Sequence, residues 1–193
     1  MKHKKLFLIG LISAISFAQS ACAYEMQAKL DRAMVEYNNN NVGKAADILT
    51  EVSDYLRAAK AETLSKLLPD APDGWSSDST NSGSSLMGGS QTRATYAKGD
   101  EQVLVSYMTD NKLVGSMLTL LNQTSAATPD GLKMYNGYIR TFEKVAENDQ
   151  LVFNLYVSEN LVISVKGKTL TEDTAALFIN KIDLVKLKTE AEK

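Results

Sequence analysis

Four acids crowd one stretch of the chain: Glu143, Glu147, Asp149 and Glu159. Paired carboxylates can act as general acid and base, or cleave glycosides, when their surroundings drive their pKa values apart. These four fall in or beside expected turns, where acids are ordinarily solvated. Gly167-Lys168-Thr169, ahead of an expected helix, has the form of the last residues of a phosphate-binding loop. The full pattern needs a glycine where Val162 stands, inside an expected strand. The segment therefore reads as a strand-to-helix turn with a solvated lysine. Asp70 and Asp73 sit near Gly74, but the alternating acids and distal glutamate of a calcium loop are missing. A capped turn is the expectation, and no catalytic residue, metal site or cofactor is assigned. Trp75, Tyr96, Tyr138 and Tyr156 are the candidates for a partner or ligand surface. Rings with a polar end are common at interfaces, but packing is the favoured reading of all four.

The strongest constraint on chemistry is a shortage. The chain holds one His and one Cys, and both stand in the first 23 residues, as His3 and Cys22. Lys2, Lys4 and Lys5, the apolar run Leu6 to Phe17 and the small-x-small site Ala21-Cys22-Ala23 have the anatomy of a signal peptide cleaved before Tyr24. The apolar run is shorter than the ~20 residues a membrane span needs. Export to the periplasm or beyond is therefore expected. Cys22 admits a second reading, a lipid-anchored cysteine; against it, Gln19 stands where a lipoprotein signal carries a branched aliphatic residue.

A chain without residues 1–23 has no Cys nucleophile, no Ser-His-Asp triad and no imidazole or thiolate to hold zinc. Its formal charge of −2 becomes more acidic once the leader's three lysines are gone. A nucleic-acid partner, which needs a basic face, is not expected.

The elements follow from periodicity. Met26, Leu30, Ala33, Met34 and Tyr37 recur at helical spacing, Asn38 to Asn41 break it, and a second helical pattern runs from Val42 to about Leu68. Its expected inner face is Ala45, Ile48, Leu49, Val52, Leu56, Ala59 and Leu67. Residues 24–68 thus read as a helical hairpin. Pro69, Pro72 and Gly74 end it, and 76–90 is expected to be a flexible Ser/Gly-rich loop, with an edge strand hidden near Ser84 to Met87 as the alternative. Strands are expected over Gln91–Tyr96 and Gln102–Met108. A helix follows over Lys112–Asn122 with Leu113, Met117, Leu120 and Leu121 inward, then a turn at Thr128-Pro129-Asp130-Gly131. Asn136-Gly137 marks a tight hairpin. Beyond it, Leu151–Val157 and Leu161–Lys166 alternate apolar and polar. A three-residue loop would pair Val157 with Leu161, Leu155 with Ile163 and Phe153 with Val165, Asn160 taking a left-handed conformation. A closing helix capped by Thr171 carries Ala175, Phe178, Ile179, Ile182 and Val185 on one face. Residues 69–193 are therefore expected to form an α+β domain, an antiparallel sheet covered by helices.

Leu68-Pro69, Pro72-Asp73-Gly74-Trp75, the Asn136-Gly137-Tyr138 hairpin and the closing strand-strand-helix order resemble PsbP/Mog1-like domains, and a group of uncharacterised exported bacterial proteins. The resemblance spans roughly Leu68 to Leu187. It implies a layered sandwich and a non-catalytic accessory or binding role, with a protein partner in the cell envelope; no partner-binding position carries over. Two other functions compete with it: a structural envelope protein that self-associates through the helical hairpin, and a carboxylate-dependent envelope hydrolase.

Overall fold

The computed structural model describes residues 24–85, 88–125, 133–145 and 149–193. The expected leader, the Cys22 anchor, the Thr128–Gly131 turn and Glu147 lie outside the described residues. The chain divides into two compact units, residues up to Leu56 and Arg57–Lys193. The boundary falls inside the second helix rather than at the prolines that follow it.

In the first unit, helix α1 (residues 24–38) turns back through Asn39–Asn41 into α2 (Val42–Ser65). Asn40 takes φ 59°, a left-handed value that Asn tolerates better than most residues. Ala33, Ala45, Ile48 and Val52 are buried, and Lys29 reaches Glu51 at 3.3 Å. The inner face is narrower than periodicity suggested. Leu49 and Leu56 are about half exposed and Met34 and Tyr37 more so, because two small helices offer one seam rather than an enclosing core.

The second unit is an α+β layered sandwich. Its strands are β1 (Ser76–Ser84), β2 (Ser90–Lys98), β3 (Glu101–Thr109), β4 (Met134–Tyr135), β5 (Tyr138–Val145), β6 (Gln150–Ser158) and β7 (Leu161–Gly167). Every pairing is antiparallel, and the sheet order is β1-β2-β3-β7-β6-β5-β4. Ser76–Ser84, assigned by composition to a flexible loop, is the first strand. Its residues are poor strand formers, but a full ladder to β2 supplies the backbone hydrogen bonds that local propensity does not.

The main core lies on one sheet face, from Tyr96, Val105 and Tyr107 across Ile163 and Val165 to Leu155 and Phe153. Leu64 at the end of α2 joins it. So do α4 (Glu172–Ile179), through Ala175, Phe178 and Ile179, and α5 (Leu184–Ala191), through Leu187 and Ala191. The closing segment is two helices rather than one. Thr171 caps α4, accepting from the Thr174 amide at 3.1 Å, and Asp183 caps α5, which leaves Val185 exposed. On the opposite face α3 (Lys112–Ser125) packs Val114, Leu118 and Leu121. Leu113, Met117 and Leu120 point outward, one helical step from the expected stripe.

The β6–β7 hairpin keeps the expected pairs Leu155–Ile163 and Phe153–Val165. Its end differs: Ser158 faces Leu161, and Val157 is the extra residue of a bulge. Asn160 is not left-handed, and the bulge leaves only Glu159 and Asn160 between the paired Ser158 and Leu161. Asn136 and Gly137, at φ 49° and 81°, make the turn before β5. The charged residues of β5 also find a reason: Arg140 lies over the Phe153 ring on the core face and pairs with Glu172 at 2.6 Å.

Candidate functional site: the open half of the sheet

Strand alternation puts every second residue on the face away from the main core, and the register lines these up in rows. One row, Met108–Val162–Tyr156–Ile139, is apolar and lies under α3. Two residues along each strand runs a polar row, Arg93–Ser106–Ser164–Asn154–Thr141. Two further on runs a mixed row, Thr95–Leu104–Lys166–Val152–Glu143. The apolar cluster beneath α3 includes no member of these two rows.

The polar row is internally ordered. The Ser164 hydroxyl donates to Asn154 Oδ1, and Asn154 Nδ2 donates to Thr141 Oγ1 at 3.2 Å. Tyr156 joins from the neighbouring row. Its burial under α3 pushes the phenol pKa up, a hydrogen bond with Thr141 works the other way, and the Glu143 charge raises it slightly further. Three strands thus carry a fixed chain of donors and acceptors along one line. A ligand amide or hydroxyl could meet such a chain without costly side-chain ordering.

Beside it the sheet end forms a depression of about 490 Å³. Thr95, Leu104 and Lys166 line it, together with the charged Asp100, Glu101 and Lys168. Lys166 is half-buried and makes no ion pair among the described residues. Asp100 of the β2–β3 turn and the strand-to-helix turn Gly167-Lys168-Thr169 both contribute to its lining. The arrangement is suited to hydrogen bonding and charge recognition. No group of three or more His, Cys, Asp or Glu suited to a metal occurs among the described residues.

The four aromatics do not share a surface. Tyr96 is a core residue, its ring 4.9 Å from Phe178 and its hydroxyl donating to the Pro69 carbonyl at 2.5 Å. Trp75 is half-buried edge-on to the same Phe178, 5.2 Å away, with the Lys98 ammonium over its ring at 5.9 Å. Tyr138 is half-buried against the main core, and Tyr156 is buried on the opposite face. Each ring serves packing, and only the Tyr156 hydroxyl reaches the polar row. The described acids Glu143, Asp149 and Glu159 are exposed. Asp149 precedes β6 while Glu159 follows it, so the nine-residue strand separates them. Asp149 is held below the usual carboxylate range by its hydrogen bond and charge contact with Lys144.

Thr141, Ser164 and Lys166 escaped the sequence reading because polar residues at alternate strand positions look the same whether they face bulk water or a built surface. Only the register brings Ser164 opposite Asn154 and Asn154 opposite Thr141. No protein-family model matches the sequence, and no curated protein is significantly similar to it.

Proposed function

We propose that this chain is an exported, non-catalytic binding or assembly module that meets a protein partner of the cell envelope through the open half of its sheet. The observation that carries the reading is the ordered row Thr141–Asn154–Ser164 bordering a depression lined by Lys166, which makes no ion pair among the described residues. The leader-like N-terminus supports an exported location. No described helix is long and apolar enough to cross a membrane. The resemblance to PsbP/Mog1-like domains belongs to the same proposal, supported by the antiparallel sheet with helices on both faces.

Site-directed photocrosslinking in the exporting cell tests it. A benzophenone amino acid replaces Glu101, exposed in the lining of the depression, in one variant and Val185, exposed on α5, in another. The expected outcome is a discrete adduct from position 101 that Ser164→Leu abolishes, with none from position 185. Equal labelling at both positions, or no adduct from 101, overturns the reading.

A further inference from the structure

The sheet has two edges, and the chain treats them differently. On one side β4 is only two residues long, which is one way proteins blunt an edge. On the other, β1 offers nine residues whose backbone, among the described residues, is paired on one side alone. The usual guards are scarce there. A bulge between Ser77 and Ser79 sets Asp78 out of register, and beyond it the ladder to β2 runs regularly from Ser79 to Ser84. That stretch, Ser-Thr-Asn-Ser-Gly-Ser, contains no charge and no proline, and its side chains are exposed apart from the half-buried Gly83. Water satisfies such an edge in the free chain, and another extended strand is the protein element that can replace it, because the outward amides and carbonyls alternate at strand spacing.

We propose that β1 is a self-association edge, pairing antiparallel with β1 of a second copy about a two-fold axis at Asn81. A two-fold perpendicular to the sheet keeps each face continuous, so opposed residues must carry side chains on the same face. Centred on Asn81, the register sets Thr80 against Ser82, Ser79 against Gly83 and Asp78 against Ser84. Every pair is small, and the two aspartates stand at opposite ends of the ladder rather than facing each other. At the axis the two Asn81 amides meet, each with both a donor and an acceptor. This self-complementarity favours a second copy over a foreign strand. It draws on the edge alone and is independent of the function proposed for the open face.

A short ladder buries less than the ~1,000 Å² of a stable interface, so the association is weak and reversible. Sedimentation velocity of the full chain, over about a hundredfold range reaching millimolar, is expected to show a monomer–dimer equilibrium. Asn81→Asp is the chosen disruptor. It sets two carboxylates against each other at the axis, yet within one copy it faces Arg93 across the β1–β2 ladder, which favours folding. It is expected to weaken the dimer at least about tenfold. Asn81→Cys, in a chain with Cys22→Ser, gives a second readout. Opposed residues stand about 4.5–5.5 Å apart at Cα, within disulfide range, so oxidation should link two copies. Thr80→Cys in the same background should link them far less. A chain monomeric throughout, a dimer indifferent to Asn81→Asp, or equal crosslinking at 80 and 81 overturns the proposal.

Discussion

Removing one oxygen from the core tests how the sheet unit is held together. Tyr107 is fully buried in β3, and its hydroxyl donates to the Leu67 carbonyl at 2.8 Å; Tyr96 does the same for Pro69. The carbonyls just past α2 have no further helical amides to accept from, so these phenols supply the donors. Tyr107→Phe keeps the ring and deletes the donor. A buried hydrogen bond contributes about 0.5–1.5 kcal/mol net, and an orphaned carbonyl can cost about 1–3 kcal/mol. Leu67 is only partly buried, so water replaces some of the loss. The expected cost is about 1.5 kcal/mol, or about 3–6 °C in Tm for a chain of this size. Urea unfolding followed by Trp75, the single tryptophan, reads it directly, since the indole packs edge-on to Phe178 in the same core. The midpoint should fall with m unchanged. A loss under about 0.3 kcal/mol would show that the phenol is not holding the chain at Leu67.

The same tyrosines set an alkaline limit. Burial, with Asp70 nearby, pushes the Tyr96 phenol from 10.0 to about 12, and burial with Tyr96 nearby raises Tyr107 as well. Above pH 10 the unfolded chain releases phenol protons that the folded chain retains. Stability is therefore expected to be unaffected by these groups below pH 10 and to fall as pH rises through 12, less steeply in Tyr96→Phe. A flat profile over that window would contradict the burial.

Three further outcomes are expected. Gly89→Ala should destabilise by about 3 kcal/mol or more, because φ is +81° and the new Cβ would stand 2.1 Å from the Thr109 carbonyl oxygen. Gly137→Ala, at the same φ with nothing within 4 Å, should cost only about 1 kcal/mol, and equal losses in denaturant melts would refute the steric argument. Thr109→Val should stabilise by about 1 kcal/mol, since the Thr109 hydroxyl is buried without a partner among the described residues; a loss in thermal unfolding would mean that something bonds it. Thr171→Ala should cost about 1 kcal/mol through the lost α4 cap, and an unchanged urea midpoint would deny the cap any role.

The fold was legible where local physics and burial agree. Phe153, Leu155, Ile163 and Val165 alternate because one face of their hairpin meets helices, and the pairs read from that alternation stand in the structure. β1 was not legible, because Ser, Thr, Asn and Gly carry no alternation; the ladder from β2 makes it a strand. α3 was misread by one step since apolar residues occupy both of its sides, and which side turns inward depends on Tyr156 and Val162 beneath it. Residue type alone made the aromatics candidates for a surface as well as for packing, and Phe178 decides it for Trp75 and Tyr96 by drawing them to the core.

By itself, the amino-acid order determined the antiparallel α+β class, the tight turn at Asn136-Gly137 and the absence of imidazole or thiol beyond residue 23. Those follow from backbone preferences and side-chain inventory, which no neighbour can alter. The polar row of Thr141, Asn154 and Ser164, the depression around Lys166 and the unguarded edge of β1 were decided by strand order and register. The Asn154–Ser164 pair follows from the hairpin register, but strands far apart in the chain become neighbours only when the sheet assembles, and outside the hairpins no short-range pattern encodes which strand lies beside which.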